Sequence, residues 1–312
     1  MFSYRHAFHA GSHADVLKHL TLIATLRHLM QKPTPLTMVD THAGAGLYRL
    51  DGDYAETSGE AANGILRLAK FPAPKGAQAE DDALADYLEV IKAFNTDDVW
   101  RVYPGSPFVM HHLMSEADRA SVRDRLKLFE IHPTDAKTLQ GNIGQLEAGR
   151  QITVSAQDGF EGLKALLPPP PAPGGSRRAV VLMDPSYEIK TDYAKVHTAM
   201  QDAMRRFPTG VYLVWYPIIG RPEAHDLPRK LKTMAMQAER PWLHATLNVG
   251  APAADTSGDQ TRPDRRGLTS SGMFVINPPH PLKPTLEAAL PKILKALGNG
   301  SGQRWEVEAQ RS

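Results

Sequence analysis

The chain has 312 residues, too many for one small module and enough for one large α/β domain or a domain carrying an insertion. Its 42% apolar content supplies a sizeable core and excludes a wholly disordered chain, and 36 Lys and Arg against 34 Asp and Glu exclude a histone-like or acidic-tail protein. Cys is absent, which rules out disulfides and thiolate metal sites and suits a reducing, cytoplasmic setting; no apolar run reaches the roughly 18 residues of a membrane span, and the N-terminus lacks an apolar signal-peptide core.

The first 35 residues hold five His and four Lys or Arg (Arg5, Lys18, Arg27, Lys32) against one acid, Asp15. Ser12 can cap a helix; Val16, Leu20, Ile23 and Ala24 follow at helical spacing, and Pro33 marks its end. Leu36 to Val39 reads as a buried strand leading into the Gly-rich turn Asp40-Thr41-His42-Ala43-Gly44-Ala45-Gly46. Between about 50 and 102 the pattern changes. Leu84, Tyr87, Leu88 and Ile91 form a helical stripe set among Asp81, Asp82, Asp86, Glu89, Asp97 and Asp98, which predicts a helical insertion with a solvated acidic face. Tyr103-Pro104-Gly105-Ser106-Pro107 is a turn that should open another helix.

Strand-sized apolar runs then alternate with helices. The runs are Leu126 to Ile131, Ile152 to Ala156, Ala179 to Met183, Val211 to Tyr216, Leu243 to Val249 and Met273 to Ile276; Leu286, Leu290, Ile293, Leu294 and Leu297 describe a late helix. This alternation predicts an α/β fold with a mainly parallel, doubly wound sheet. Residues 168–175 and 250–264 read as irregular loops, and residues 299–312 as a tail without a usable motif.

Ligands of such sheets bind beyond the carboxyl ends of the strands, and the unusual residues gather there. Gly44 and Gly46 allow a tight turn and close approach to a ligand, though an ordinary strand-to-helix turn looks the same; the third Gly of a dinucleotide fingerprint is missing. Glu130 can take both hydroxyls of a ribose or serve as a capping carboxylate. Asp158, before Gly159, can accept from an adenine amino group or simply form a turn. Asp184-Pro185-Ser186-Tyr187 puts a carboxylate, a Pro and an aromatic ring after a buried strand. The Asp184 carboxylate and the Pro185 carbonyl can accept from an exocyclic amine, and Tyr187 can stack on a flipped-out base. A plain Asp-Pro turn ending a strand remains the alternative.

The Asp184–Tyr187 tetrad resembles the D-P-P-Y motif of S-adenosylmethionine-dependent amino-group methyltransferases. The resemblance narrows to bacterial 23S ribosomal RNA adenine-N6 methyltransferases of the J type, the adenine-2030 family. It is carried by Ser3-Tyr4-Arg5-His6, Phe8-His9-Ala10-Gly11, His13-Ala14-Asp15-Val16-Leu17-Lys18-His19, the Asp40–Gly46 turn, Tyr103–Pro107, Lys190-Thr191-Asp192-Tyr193, Trp215-Tyr216-Pro217 and Asp264-Arg265-Arg266-Gly267, from residue 1 to about 280. It implies a Rossmann-like class I methyltransferase sheet over residues 1–49 and 103–298, with residues 1–35 as an N-terminal helical motif and residues 50–102 inserted. It implies Asp184 as the catalytic acid group and His19, His42, Ser106, Glu130, Asp158 and Gly159 as contacts of S-adenosylmethionine. Tyr4 falls on a position that handles RNA, and Pro185 and Tyr187 flank the base. The reaction so implied is direct in-line methyl transfer to a flipped-out adenosine of 23S ribosomal RNA, by a cytoplasmic monomer. Ser186 departs from the family's second Pro and leaves the loop less restricted.

The clustered histidines do not favour a metal: His9 and His13 are four apart, but Gly11 and Ser12 interrupt any helix between them. His19, read alone, is a satisfied core histidine; the resemblance favours cofactor contact. Arg265-Arg266 is a candidate phosphate contact in a polar loop. Two other functions share parts of the pattern. A DNA adenine methyltransferase would share the tetrad, and a non-catalytic RNA-binding or assembly factor would fit Ser186. The missing Gly disfavours a nicotinamide dehydrogenase.

Overall fold

The computed structural model describes residues 6–52, 59–71, 82–119, 121–251 and 267–310. Tyr4, Arg265 and Arg266, the residues expected to meet RNA, lie outside the described residues, as does most of the 250–264 loop.

The main sheet contains β1 (Thr37–Asp40), β4 (Arg125–Phe129), β5 (Ile152–Ser155), β6 (Ala179–Met183), β7 (Val211–Pro217), β8 (Trp242–Asn248), β9 (Ser270–Ile276) and β10 (Arg304–Ala309), in the order β10-β8-β9-β7-β6-β1-β4-β5. The run β5-β4-β1-β6-β7 is parallel, while β9 runs antiparallel to both β7 and β8, and β10 antiparallel to β8. The strand β2 (Leu47–Arg49) pairs antiparallel with β3 (Val102–Pro104), so the two ends of the 50–102 segment are clipped together. Within that segment stand α2 (Glu60–Asn63), α3 (Ile65–Ala69) and α4 (Ala83–Lys92).

The parallel strands are buried on both faces, which explains their near-continuous apolar runs. In β6, Val180 and Leu182 point into one core, and Ala179, Val181 and Met183 into the other. The first core receives α1 (His13–Met30), α5 (Ser106–Met114), α6 (Pro133–Gly144) and α10 (Leu282–Leu297). The second receives α7 (Gly159–Leu166), α8 (Thr191–Arg206) and α9 (Pro222–Gln237). Helix α1 begins as its sequence predicts: the Ser12 hydroxyl accepts from the Asp15 N–H at 3.4 Å, and the helix stops before Pro33.

Two expectations need correction. Residues 304–309, read as part of a tail, supply an edge strand; Trp305, Val307 and Ala309 are half-buried and alternate with exposed Arg304, Glu306 and Glu308. The sheet is also less uniformly parallel than predicted, because a strand's apolar run does not encode its direction.

Candidate active site

The chain leaves β1 for β4 on one side of the sheet and continues from β6 to β7 on the other, so the loops after these strands part at β1 and open a crevice. A cavity of about 390 Å³ lies there, lined by the loops after β1, β4, β5 and β6 and by Lys18 and His19 of α1. His19, His42, Ser106, Glu130, Asp158, Gly159, Asp184 and Pro185 all line it.

Backbone amides hold one side. The Glu130 carboxylate accepts from the Gly44 N–H at 2.8 Å and from the His132 N–H at 2.7 Å. Burial nevertheless raises its pKa, and these bonds only partly oppose the shift. Each oxygen keeps a further lone pair for a ligand hydroxyl. Asp158 caps α7: one oxygen accepts from the N–H groups of Phe160 (2.8 Å) and Glu161 (3.3 Å). Asp40 does not line the cavity. It orients the turn instead, accepting from the His42 N–H (3.1 Å) and the Ser106 hydroxyl (2.6 Å), and burial pushes it up to about 6. Gly44 (φ +60°) and Gly46 (φ +83°) adopt the left-handed conformation the turn needs. Gly159 is required for a different reason: a Cβ there would stand 2.0 Å from the Thr41 carbonyl oxygen.

The imidazoles of His42 and His19 face this side. Burial is the largest influence on each and lowers them to about 4 and about 3. The Thr41 hydroxyl and the His42 Nδ1 are 2.8 Å apart.

Side chains hold the other side. Lys18 donates to Asp184 Oδ2 at 2.5 Å and lies 2.7 Å from Asp15, whose other oxygen lies 3.1 Å from His6. Burial works against the Lys18 charge, but the two carboxylates outweigh it and hold the ammonium well above its ordinary pKa. Asp184 Oδ1 has no hydrogen bond among the described residues, so one oxygen is clamped and the other is open to a donor group. In the sequence Lys18 stands only as one of four Lys and Arg in the first 35 residues. The available signal was its position between Leu17 and His19 in a helix that buries both neighbours.

Tyr187 is not where it was expected. Its ring is 2% exposed and does not line the cavity; it packs 4.6 Å from Tyr193 and 6.0 Å from Trp215. Its hydroxyl donates to the Trp215 carbonyl at 2.7 Å. The expected stacking on a base is therefore corrected: Tyr187 anchors the loop from beneath. Its φ of 54° is unusual for a bulky residue, and such strain persists only where surrounding contacts impose it. Arg221 adds to the restraint, donating to the carbonyls of Tyr187 and Glu188 at 3.0 Å each. These contacts supply stiffness that Ser186, which lines the cavity, does not.

Two of the N-terminal histidines are paired with carboxylates, His6 with Asp15 at 3.1 Å and His9 with Glu60 at 3.0 Å. Among the described residues no group of three or more His, Asp or Glu is placed to hold a metal ion, and no helix is long and apolar enough to cross a membrane.

Comparison with known proteins agrees with this architecture. Residues 33–309 match the family described as ribosomal RNA large subunit methyltransferase D, RlmJ. The chain is 38% identical to ribosomal RNA large subunit methyltransferase J of Escherichia coli (strain K12) over 294 residues, 93% of this chain and 92% of that protein. It is also 38% identical to the protein of that name from Haemophilus influenzae over 315 residues, 99% and 98% of the two chains. A crystal structure of a Legionella pneumophila protein superposes with a TM-score of 0.77 at 28% identity, covering 96% of this chain and 98% of that one. The sheet is thus a Rossmann-like class I methyltransferase fold, and the chain belongs to the ribosomal RNA large subunit methyltransferase family of the J type, a family of RNA methyltransferases.

Proposed function

We propose that the protein methylates N6 of one adenosine in 23S ribosomal RNA, at the 2030-type site, using S-adenosylmethionine. The observation that carries this is Asp184, clamped on one oxygen by Lys18 and open on the other, at the edge of the amide-lined crevice. The crevice fits the methyl donor. Glu130 keeps lone pairs for a ribose, Asp158 has an oxygen beyond its cap for adenine, and His19 Nε2 is a buried polar atom without a partner among the described residues. His42, Ser106 and Gly159 complete that wall. Bound there, S-adenosylmethionine supplies a methyl group on a sulfonium.

The chain's own work is positioning. Asp184 Oδ1 and the Pro185 carbonyl accept the two protons of the adenine amine, which turns its lone pair out of ring conjugation and toward the donor. Alignment of this kind can contribute about 7–11 kcal/mol. No strong base is needed, because the proton is lost after the nitrogen has become cationic. Tyr4 belongs to this reading as an RNA contact, by resemblance. Residues 50–102 form an inserted subdomain in it. The test is to map N6-methyladenosine in 23S ribosomal RNA from cells lacking the gene, and from cells complemented with wild type or Asp184→Asn. Loss of one site restored only by wild type is expected. An unchanged methylation map would refute the assignment.

A further inference from the structure

His19 is joined to the helical insertion by a chain of two phenols. Its Nδ1 lies 2.8 Å from the Tyr103 hydroxyl, and that oxygen lies 3.1 Å from the Tyr87 hydroxyl. All three residues are 0% exposed. They come from three elements, α1, β3 and α4. The other ring nitrogen, Nε2, has no partner among the described residues, and His19 lines the cavity.

We propose that Tyr87 and Tyr103 are positioning residues that fix the tautomer of His19, so that Nε2 carries the proton and presents a donor to an oxygen acceptor on the bound ligand. This rests on the reading that His19 faces the methyl donor.

The argument is a proton count. Burial pushes both phenols above their ordinary pKa, so each keeps its proton. Burial, then the Lys18 charge, lower the imidazole to about 3, so at neutral pH it carries one proton on one of its two nitrogens. Two arrangements are possible. In the first, Tyr87 donates to Tyr103, Tyr103 donates to Nδ1, and the ring proton sits on Nε2 toward the cavity. In the second, Nδ1 donates to Tyr103, and the two phenols share one contact for two protons, so one phenol proton has no acceptor among the described residues. Among the described residues Tyr103 is the only hydrogen-bond partner of the Tyr87 hydroxyl. Each arrangement leaves one polar hydrogen over: on Nε2 at the cavity wall, where a bound ligand can accept it, or on a phenol in the closed core, where none can; with ligand bound the second is disfavoured by about tenfold or more. Which ring nitrogen holds the proton is set by the bond the other one makes, and here that bond is set by a residue of the inserted segment.

The deciding measurement is a long-range ¹H–¹⁵N correlation spectrum of the imidazoles in the full-length protein saturated with S-adenosylmethionine. The expected result is a neutral His19 protonated on Nε2, with an Nδ1 shift typical of a hydrogen-bond acceptor. Protonation on Nδ1 would overturn the proposal, and this reading needs no variant. Tyr103→Phe should move the Nδ1 shift toward that of a free lone pair and weaken S-adenosylmethionine binding, measured by calorimetry, about tenfold. Tyr87→Phe should move both in the same direction but less, by about threefold in binding, because it removes one bond's cooperative support. Adding Tyr87→Phe to Tyr103→Phe should change nothing further. Additive losses would mean that the two rings act by packing alone, and the relay would be wrong. If His19→Leu left cofactor affinity unchanged, the placement of the donor beside His19 would fail, while the tautomer spectrum would still decide the relay.

Discussion

On the Glu130 side of the crevice, carboxylates are steadied mostly by main-chain N–H groups, from Gly44, His132, Phe160, Glu161 and His42. On the Asp184 side the corresponding contacts come from side chains far along the sequence. Lys18 reaches Asp184 across 166 positions, and Arg221 and the Tyr187 hydroxyl tie the loop to the region after β7 and to Trp215. Amides are present whatever the side chain, so the first wall tolerates substitution at His132, Phe160 and Glu161, while Gly44 is held to glycine by its backbone angle. The second depends on particular residues and should respond sharply to changing them.

The largest effect is expected at Asp184. Asp184→Asn keeps the shape but loses the charge opposite Lys18 and turns one acceptor into a donor. The methylation rate should fall by about 100- to 10,000-fold, while S-adenosylmethionine affinity, measured by calorimetry, stays within about threefold, a difference near 0.7 kcal/mol. Equal losses in rate and affinity would erase the distinction between the two walls.

Lys18→Met comes next. It leaves buried Asp15 and half-buried Asp184 without their shared cation, and breaking such a pair costs up to about 3–5 kcal/mol. Chemical denaturation should show that loss, and turnover should fall with it. A variant of wild-type stability would mean that the charge cluster is not what holds Asp184.

Acid tests the other wall. His19 and His42 are depressed to about 3 and about 4 from 6.5, so their contribution is complete above pH 6.5 and is lost as pH falls toward those values. Asp40, raised to about 6 from 3.8, works in the opposite sense, since the folded state takes up its proton first. His13 and His244, which burial lowers to about 4, act in the same sense as His19 and His42, so four imidazoles outweigh the one carboxyl and stability falls by several kcal/mol, on the order of 5 or more, between pH 6.5 and 4. Thermal melts should move downward across that window; a flat or rising profile would contradict the assignment.

The smallest change separates anchoring from stacking. Tyr187→Phe removes only the bond to the Trp215 carbonyl. Anchoring predicts about 1 kcal/mol of lost stability and a severalfold drop in kcat. A ring stacked on a base would keep its stacking as Phe, with kcat and the KM for RNA unchanged.

Much of the fold was legible because strands buried on both faces must be apolar throughout and their turns must bend. β6 lies where its run of Ala, Val, Leu and Met put it, and the Gly44–Gly46 turn follows β1. β10 was missed although its residues alternate, because three charged side chains in six residues read as a solvated tail. Lys18 was missed because a Lys on a helix is ordinarily solvated, and only the docking of α1 against the sheet closes water off from it. Tyr187 was misplaced because an aromatic after Asp-Pro-Ser implies nothing about its backbone angle, and at φ 54° the ring turns into the core.

By itself, then, the sequence determined the alternation of strands and helices, the family, and the set of polar residues at the strand ends, since each follows from local pattern or short motifs. Tertiary structure alone decided which of those residues share a wall, which carboxylate oxygen is clamped, and which aromatic ring faces inward. Those outcomes depend on contacts between segments up to 166 positions apart, and on the burial that turns a common Lys or Tyr into a fixed support.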